Sequence, residues 1–420
     1  MKNRIIRNNL FYFSFDDFSH VMRIAVSLKC GDISGEILTR VVQKAALRYP
    51  YFSIRIIRHG ESYDVEHNTD PIPVTHGTKP VLLGSDEANG HLIAVAYEHN
   101  KVMFDISHNL ADGKGFLPWI KTVIYLYLTE SLGVELSSDG INLPGEDFLP
   151  GETDDPYENM DLENAECLLP DRKADNVFVP DMRYAVSEER SSYALTASVD
   201  DMMRLAGFWD GSPASMLAYI TKEMIRELFP ESHNKQIVCC MPYSYRALAC
   251  GENNYHTQTL LLKIIYDDRY ESMTMDRQLT CTRGTVMTQS DPDRVRYTLK
   301  QFDEYAAYLD DLPTIDERRN NYHKRLEMID PETYAVSYLG RINWGSIEKY
   351  MDGITIESAA FSAPIMFAFV PIDGLFHITM VLNQTSDVYA DTLVRLLKDH
   401  GVSAKYEYSF KQELCKIHMP

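Results

Sequence analysis

The chain has 420 residues, of which 45% are hydrophobic and 24% are charged. It is therefore long enough for two globular domains and too apolar for a disordered protein. Its net charge of −20 disfavours nucleic acid and anionic membranes as partners. No run approaches the roughly 20 apolar residues of a membrane span, and the N-terminus lacks a signal-peptide pattern. We expect a cytoplasmic protein without a membrane span.

Seven cysteines occur without any CxxC spacing, a pattern typical of reduced thiols in a cytosolic protein. The adjacent Cys239 and Cys240 lie in an apolar run, where thiols usually pack inertly. Most histidines are scattered and no second His or Cys cluster follows them, so the sequence predicts no metal site.

An acidic stretch divides the chain. From 139 to 166 there are many Asp and Glu residues, three prolines and no Lys or Arg, a composition typical of a solvated connection. We therefore predict one domain over 1–185, with an acidic connecting segment over 139–180, and a second domain over 186–420.

Both halves mix helices and strands, as judged from apolar periodicity and from start and stop residues. In the first half we predict an extended segment over 9–16, a helix over 34–49, strands over 51–58 and 62–67, a hairpin over 91–107 and a helix over 113–129. In the second half we predict strands over 193–199, 236–241, 255–266, 333–339, 354–360, 365–370 and 375–382, helices over 271–290, 292–309, 315–329 and 387–399, and two further helices with N-caps at Asp200 and Ser212. The class is α/β or α+β with mixed sheets.

One strand–loop–helix pattern occurs twice. His108 and Asp112 follow the strand that ends near 107, and Asn383 and Asp387 follow the strand that ends near 382. An Asp at a helix start can accept the first free backbone N–H groups. The imidazole has no such structural explanation, and one copy alone carries it, which suggests a single active site.

His108 is the strongest candidate for chemistry. A neutral imidazole accepts a proton near neutral pH. Asp112 is suited to pair with a charge or cap the helix, and we expect Gly113 to adopt a backbone angle that other residues resist, so that the loop turns sharply. His-x-x-x-Asp-Gly directly after a hairpin strand is a much more specific pattern than a lone histidine.

The segment 107–113 resembles the HxxxDG signature of the CoA-dependent acyltransferases, a superfamily that includes chloramphenicol acetyltransferase, BAHD transferases, condensation domains and alcohol acetyltransferases. Further segments resemble the alcohol acetyltransferase branch in the same order, namely 48–55, 241–246, 251–255 and 337–345. The chain departs from the family motifs at four places: Ser107 replaces the first histidine of the doubled form, Tyr245-Arg246 lacks an asparagine, Tyr338 replaces another, and Trp344-Gly345 lacks the preceding Asp and Phe.

The resemblance implies two chloramphenicol acetyltransferase-like domains, α+β two-layer sandwiches with mixed sheets, meeting along an active-site tunnel. It implies His108 as general base, moving an acyl group, acetyl among the candidates, from a CoA thioester to a hydroxyl or amine without an acyl-enzyme. Asp112 and Gly113 would shape the catalytic loop, with Arg246 as the partner of Asp112. Tyr338, Trp344 and Gly345 would contact substrate.

No cofactor is expected to be bound permanently; acyl-CoA would be a co-substrate and the acceptor a small molecule. Because two similar halves can build one site, we expect a monomer. Two alternatives remain open. The acyl group would come from a carrier protein, as in condensation domains, or the chain would be a non-catalytic member that serves as a binding module, an alternative motivated by Tyr245 and Tyr338.

Overall fold

The computed structural model describes residues 21–167, 172–181, 185–187, 189–358, 363–413 and 415–420. The strands are β1 (Val21–Leu28), β2 (Ile54–His59), β3 (Ser62–His67), β4 (Val74–His76), β5 (Ile93–Glu98), β6 (Lys101–Ser107), β7 (Ser191–Ser198), β8 (Ile237–Ser244), β9 (Thr259–Tyr266), β10 (Tyr334–Tyr338), β11 (Met351–Ser358), β12 (Ile365–Ile372), β13 (Leu375–Leu382) and β14 (Ala404–Lys411). The helices are α1 (Gly35–Ala46), α2 (Gly113–Leu132), α3 (Val199–Phe208), α4 (Pro213–Leu228), α5 (Asp268–Glu271), α6 (Met275–Gln289), α7 (Pro292–Asp311), α8 (Ile315–Glu327) and α9 (Asp387–Asp399).

The first lobe is built on a five-stranded sheet in the order β11-β1-β6-β5-β4. Its strands are antiparallel except for β4, which runs parallel to β5. Helices α1 and α2 pack on it, and their apolar side chains share one core with the sheet. The strand β11 lies in the predicted second half of the chain, yet it pairs with β1 along its whole length.

The second lobe is built on a seven-stranded sheet in the order β14-β7-β13-β12-β10-β8-β9. Strands β12, β10 and β8 run parallel and the remaining pairs are antiparallel, so this sheet is mixed as predicted. Helices α3, α4 and α9 cover one face and share a second apolar core with it. The helices α7 and α8 leave this lobe and rest on the β2–β3 hairpin, where Tyr322 and Leu309 pack near Ile56 and Tyr63.

Most predicted helices and strands are present, with ends shifted along the chain. The predictions missed the strands β1, β4 and β14 and misplaced one N-cap. The predicted segment 9–16 and the end of the predicted strand 354–360 lie outside the described residues. The N-cap of α3 is Ser198 and not Asp200, because the Ser198 hydroxyl accepts from the backbone N–H of Asp201. Ser212 caps α4 as predicted, in a capping box with Ser215.

The second copy of the strand–loop–helix pattern differs from its prediction. The helix α9 begins at Asp387, but no side chain caps it. The Asp387 carboxylate instead accepts from the hydroxyl of Tyr406 at 2.9 Å, and both Asn383 and Asp387 are exposed.

In the described parts of the chain, none of the helices combines the length and the apolar character that a bilayer crossing requires. All seven cysteines belong to those parts, and each is a free thiol.

Candidate active site

A cavity of about 1160 Å³ opens between the two lobes and contains His108 in its wall. The first lobe contributes the loop after β6 and the start of α2. The second lobe contributes β8, β9, β10 and β12, with α6, α7 and α8 above them. The predicted space between two lobes is therefore present, and the candidate base faces it.

His108 is held through its backbone by the other lobe, because the Thr257 hydroxyl donates to the His108 carbonyl at 2.9 Å. Burial lowers the pKa of His108 below its ordinary value, while the Asp112 charge and the His108 backbone oppose that shift. The net shift is downward, which favours the neutral ring at neutral pH.

Asp112 and Arg246 form a buried bidentate ion pair. The Nη1 of Arg246 donates to Oδ2 at 2.8 Å and its Nη2 donates to Oδ1 at 2.6 Å. Arg246 is fully buried and Asp112 is 5% exposed. The remaining Arg246 N–H groups reach the backbone carbonyls of Asn254 and His256 and the hydroxyl of Ser244. This pair ties the start of α2 to the end of β8, across the lobes.

The Asp112 carboxylate accepts three further hydrogen bonds. The donors are the backbone N–H of Gly115 at 2.9 Å, the backbone N–H of Gln258 at 3.0 Å and the Thr259 hydroxyl at 2.9 Å. Burial alone would raise the pKa of Asp112, but the Arg246 charge and these hydrogen bonds lower it to about 2. With five donors on two oxygens, Asp112 caps the helix and pairs with a charge at once.

The glycines after Asp112 serve close packing, and this corrects our expectation for Gly113. Its φ is not positive, so the loop needs no left-handed residue there. A Cβ on Gly113 would lie 3.2 Å from the Leu339 side chain, whereas a Cβ on Gly115 would lie 2.0 Å from the backbone oxygen of Tyr255. Gly115 is therefore the position where the other lobe approaches too closely for any side chain.

Of the three predicted substrate-contacting residues, Tyr338 reaches the cavity and the other two do not. Tyr338 lines the wall and stacks on Phe369 with ring centroids 4.7 Å apart. Trp344 is fully buried in the core of the first lobe, and Gly345 has a φ of +58° and faces the backbone of Asp139. Trp344 and Gly345 are thus packing residues, because their side-chain positions point into the protein core and the connecting segment.

A second buried ion pair was missed by the sequence analysis, and it lies in the predicted solvated segment. Glu152 is 2% exposed and accepts hydrogen bonds from Nη1 and Nη2 of Arg48, at 2.7 and 2.8 Å. It also accepts from the hydroxyl of Tyr51 at 2.7 Å, and the Tyr51 ring stacks on Tyr255 with centroids 4.1 Å apart. Because Arg48 belongs to the first lobe, this ion pair anchors the connecting segment to that lobe at Glu152.

The sequence analysis also missed Thr257 and Gln258, which precede β9, and Thr259, the first residue of that strand. They contact the loop 108–112 through two hydroxyls and one backbone N–H. The only sequence signal was their position shortly after the 251–255 motif, which does not reveal a contact with a loop of the other lobe.

The cavity is more basic than the protein around it. Among the described residues that line it, Lys and Arg outnumber Asp and Glu: Lys114, Arg172, Lys173, Arg246, Lys263, Arg269, Arg294 and Arg325 against Asp112, Asp303, Asp330 and Glu332. In a chain of net charge −20, this local excess favours an anionic ligand. The described residues contain no group of three or more His, Cys, Asp or Glu side chains suited to hold a metal ion.

Several solved structures share this architecture. The F. sporotrichioides TRI101, solved with coenzyme A and T-2, aligns with a TM-score of 0.56 and 11% identity over 94% of this chain and 98% of that chain. The first condensation domain of the CDA synthetase aligns with a TM-score of 0.59 and 10% identity over 95% of this chain and 94% of that one. TRI3 trichothecene 15-O-acetyltransferase from Fusarium sporotrichioides aligns with a TM-score of 0.57 and 8% identity over 94% and 92%.

Comparison with protein-family models and with curated proteins finds no match. The resemblance predicted from the motifs is confirmed for the fold: the chain has the two-lobed α/β architecture with mixed sheets that acetyltransferase and condensation-domain structures share.

Proposed function

We propose that the protein is an acyltransferase that moves an acyl group from a CoA thioester to a hydroxyl or amine, with His108 as general base. The observation that carries this proposal is an imidazole in the wall of an inter-lobe cavity, on a loop locked by the buried pair of Asp112 and Arg246; burial of the ring favours its neutral form. A base needs an unprotonated nitrogen and a fixed position, and both are supported here.

The neutral imidazole carries the proton in this proposal. Its unprotonated nitrogen takes the proton of the acceptor as the acceptor's oxygen or nitrogen attacks the thioester carbonyl. When the tetrahedral intermediate collapses and the C–S bond breaks, the same nitrogen returns the proton to the departing thiolate. No covalent acyl-enzyme forms in this scheme.

Asp112 and Arg246 act in this proposal as positioning residues. The Asp112 carboxylate is saturated by its five donors, so it neither shuttles protons nor contacts substrate. Tyr338, which lines the cavity, is assigned to the substrate wall.

The excess of Lys and Arg in the cavity wall supports CoA as the donor, because CoA carries several phosphate charges. The competing donor is an acylated carrier protein. Turnover with free acyl-CoA distinguishes them, since a carrier-dependent enzyme turns over only when the thioester is presented on its carrier.

We further propose that the protein acts as a cytoplasmic monomer without a permanently bound cofactor. The segments 1–185 and 186–420 are proposed as its two acyltransferase-like units, with β11 exchanged into the sheet of the first. Size measurement in solution by light scattering tests the monomer directly.

The decisive experiment measures release of free thiol from a panel of acyl-CoAs with alcohol and amine acceptors. We expect turnover by the wild-type protein, and a loss of 10²–10⁴-fold in kcat/KM for His108→Ala, the usual contribution of a general base. Asn383→Ala, in the exposed loop of the second copy, is the matched control and should keep full activity.

Melting temperatures complete the test. His108→Ala should melt close to the wild-type temperature, which separates lost chemistry from lost folding. A His108→Ala variant with full activity would end the proposal. If acyl-CoAs raise the melting temperature and no thiol is ever released, the binding-module alternative replaces it.

A further inference from the structure

The cavity continues from the catalytic loop along the sheet of the second lobe and reaches a charged pair. Its near end is Thr259, whose hydroxyl donates to Asp112 at 2.9 Å and which lies opposite Ser244 in the sheet. Its far end is Lys263, opposite Cys240, and both of these pairs line the cavity. Four steps of roughly 3.3 Å along a strand separate the two ends by about 13 Å.

The path between the two ends follows one face of the sheet. Side chains alternate between the faces of a strand, and Cys239, Met241 and Ile264 point into the core beneath α3, α4 and α9. The opposite face of β8, β9, β10 and β12 lines the cavity with small or apolar side chains, namely Pro242, Leu261, Ser337 and Ala368. A ligand on this path therefore needs an elongated and mainly apolar body.

Lys263 is fixed at the far end by its backbone and by its ammonium group. Its backbone N–H donates to the side-chain oxygen of Gln289 at 3.0 Å, and its carbonyl accepts from Nε2 of Gln289 at 2.8 Å. Its Nζ donates to the backbone carbonyl of Asp330 at 3.2 Å and lies 3.5 Å from Oε1 of Glu332. The Lys263 side chain is 26% exposed and that of Glu332 is 3% exposed, so the ammonium is the member of the pair that a ligand can reach.

The charges at the far end select against an anion. Lys263, Asp330 and Glu332 all line the cavity there, and one cation beside two carboxylates gives a local excess of negative charge. Such a site repels a phosphate or a carboxylate, so the phosphates of CoA are better matched by the other Lys and Arg residues of the wall. A neutral oxygen fits, because it can accept a hydrogen bond from the ammonium without adding charge.

We propose that this path holds the acceptor substrate, and that the acceptor is an elongated alcohol or amine with an apolar body and a second, neutral oxygen that accepts from Lys263. The inference rests on the proposed function in that His108 is taken as the base. His108 removes the proton of the acceptor, so the reacting atom of the acceptor touches the base and the rest of the molecule occupies the path that begins there. Glu332 is a positioning residue that holds the ammonium and keeps anionic ends out.

The first test measures thiol release from one acyl-CoA with α,ω-diols of increasing length, each compared with the mono-alcohol of the same length. A diol offers two equivalent hydroxyls, so a statistical doubling of kcat/KM is expected without any second contact. We expect the ratio of diol to mono-alcohol to exceed that doubling by about tenfold at one chain length, the effect of a hydrogen bond to a charged group. Lys263→Met should return the ratio to the statistical value. A ratio that Lys263→Met leaves unchanged would overturn the inference.

The second test concerns the charge. The wild-type protein should use an ω-hydroxy carboxylic acid poorly compared with the diol of the same length, because the carboxylate would face Glu332 and Asp330. Glu332→Gln should improve the hydroxy acid relative to the diol by about tenfold or more, since like charges placed together are strongly penalised. No change in this preference would contradict the role given to Glu332. A rise in KM for the acyl-CoA alone in Lys263→Met would place the path in the donor site and overturn the inference.

Lys405→Met is the matched control. Lys405 also forms an ion pair with a glutamate, Glu407, on β14 of the same sheet, but it lies outside the cavity wall. This variant should keep the ratio of diol to mono-alcohol. If Lys263→Met does not fold because Glu332 loses its partner, the double variant Lys263→Met/Glu332→Gln removes both charges and replaces it in the first test.

Binding separates this inference from the proposed function. Calorimetry with the diol and the mono-alcohol of the optimal length measures the preference without turnover. The wild-type protein should bind the diol more tightly, and Lys263→Met should bind the two equally. Equal binding of both by the wild-type protein would overturn the inference, whereas absence of thiol release with every acceptor would overturn the proposed function.

Discussion

Two loops of this chain join the end of a strand to the start of a helix, and they meet very different surroundings. The loop between β6 and α2 lies at the junction of the lobes, where Asp112 is 5% exposed and paired with Arg246. The loop between β13 and α9 lies on the surface, where Asn383 and Asp387 are exposed. The same strand–loop–helix pattern thus forms a candidate site only where the other lobe supplies buried partners. The local sequence determines the loop, whereas contacts between the lobes determine the surroundings of its side chains.

Breaking the buried pair should give the largest difference between the two loops. Arg246→Leu leaves the Asp112 carboxylate buried without its charge partner, and we expect a loss of about 3–5 kcal/mol in the free energy of unfolding, measured by urea denaturation. The double variant Asp112→Leu/Arg246→Leu should recover part of that loss, because no uncompensated charge remains; the N–H groups of Gly115 and Gln258, which lose their acceptor, limit the recovery. A double variant less stable than Arg246→Leu alone would contradict this account.

The close approach of the lobes at α2 provides the next test. A Cβ at Gly115 would collide with the backbone oxygen of Tyr255, so Gly115→Ala should cost about 1–3 kcal/mol of unfolding free energy. In the surface loop the corresponding position, counted from Asp387, is Ala390, where a side chain is accommodated.

Gly113→Ala is the matched control for Gly115→Ala. Its nearest neighbour is the flexible Leu339 side chain at 3.2 Å, and alanine favours the helix by about 1 kcal/mol over glycine. We therefore expect a change within about 1 kcal/mol. Equal losses at the two glycines would mean that the lobes approach less closely than the structure indicates.

The pH dependence of the free energy of unfolding distinguishes an imidazole in the buried loop from one in the surface loop. Burial lowers the pKa of His108 below its unfolded value, so below about pH 6.5 the unfolded chain binds more protons than the folded one. The free energy of unfolding should therefore fall as the pH falls through this range, and His108→Gln should reduce that dependence. The remainder comes from His91, His323 and His377, whose pKa values burial also lowers. Asn383→His places an imidazole in the exposed loop and should add no comparable slope. Denaturation midpoints between pH 5 and 7.5 measure both.

The smallest effect is expected at the surface loop itself. Asp387 is exposed and accepts from Tyr406 at 2.9 Å. Asp387→Asn should therefore change the free energy of unfolding by less than about 0.5 kcal/mol and leave thiol release unaffected. A large effect would show that the second loop is also held by contacts across the molecule, and the contrast between the loops would disappear.

The difference between local features and contacts across the molecule also explains which parts of the fold the sequence could predict. Helix starts and strand pairs are local, so Ser212 as the cap of α4 and the β5–β6 hairpin were predicted correctly. The strand β1 was missed because it is buried on both faces and carries Arg23 as its third residue. That charge is paired with Asp105, whose carboxylate lies 2.7 Å away on the neighbouring strand β6.

The residues of the site were likewise predicted where a local motif carries them and missed where distant contacts define them. The motif supplied His108 and Asp112, and the resemblance supplied Arg246, because these residues recur in order along the chain. Trp344 was misplaced because an aromatic residue beside a glycine has the same sequence signature in a core as in a wall. Thr257 and Glu152 escaped notice because their partners, His108 and Arg48, are more than a hundred positions distant, and polar contacts at that separation leave no periodic pattern.

The path of β11 limits how this protein can be divided. A fragment that ended after 185 would keep β1 but lose the strand that covers its outer side, leaving a row of unsatisfied backbone donors and acceptors open to other molecules. The complementary fragment would carry β11 with no sheet of its own to join. The two halves of the chain therefore depend on each other to fold. Halves that are expressed separately should self-associate unless they are produced together.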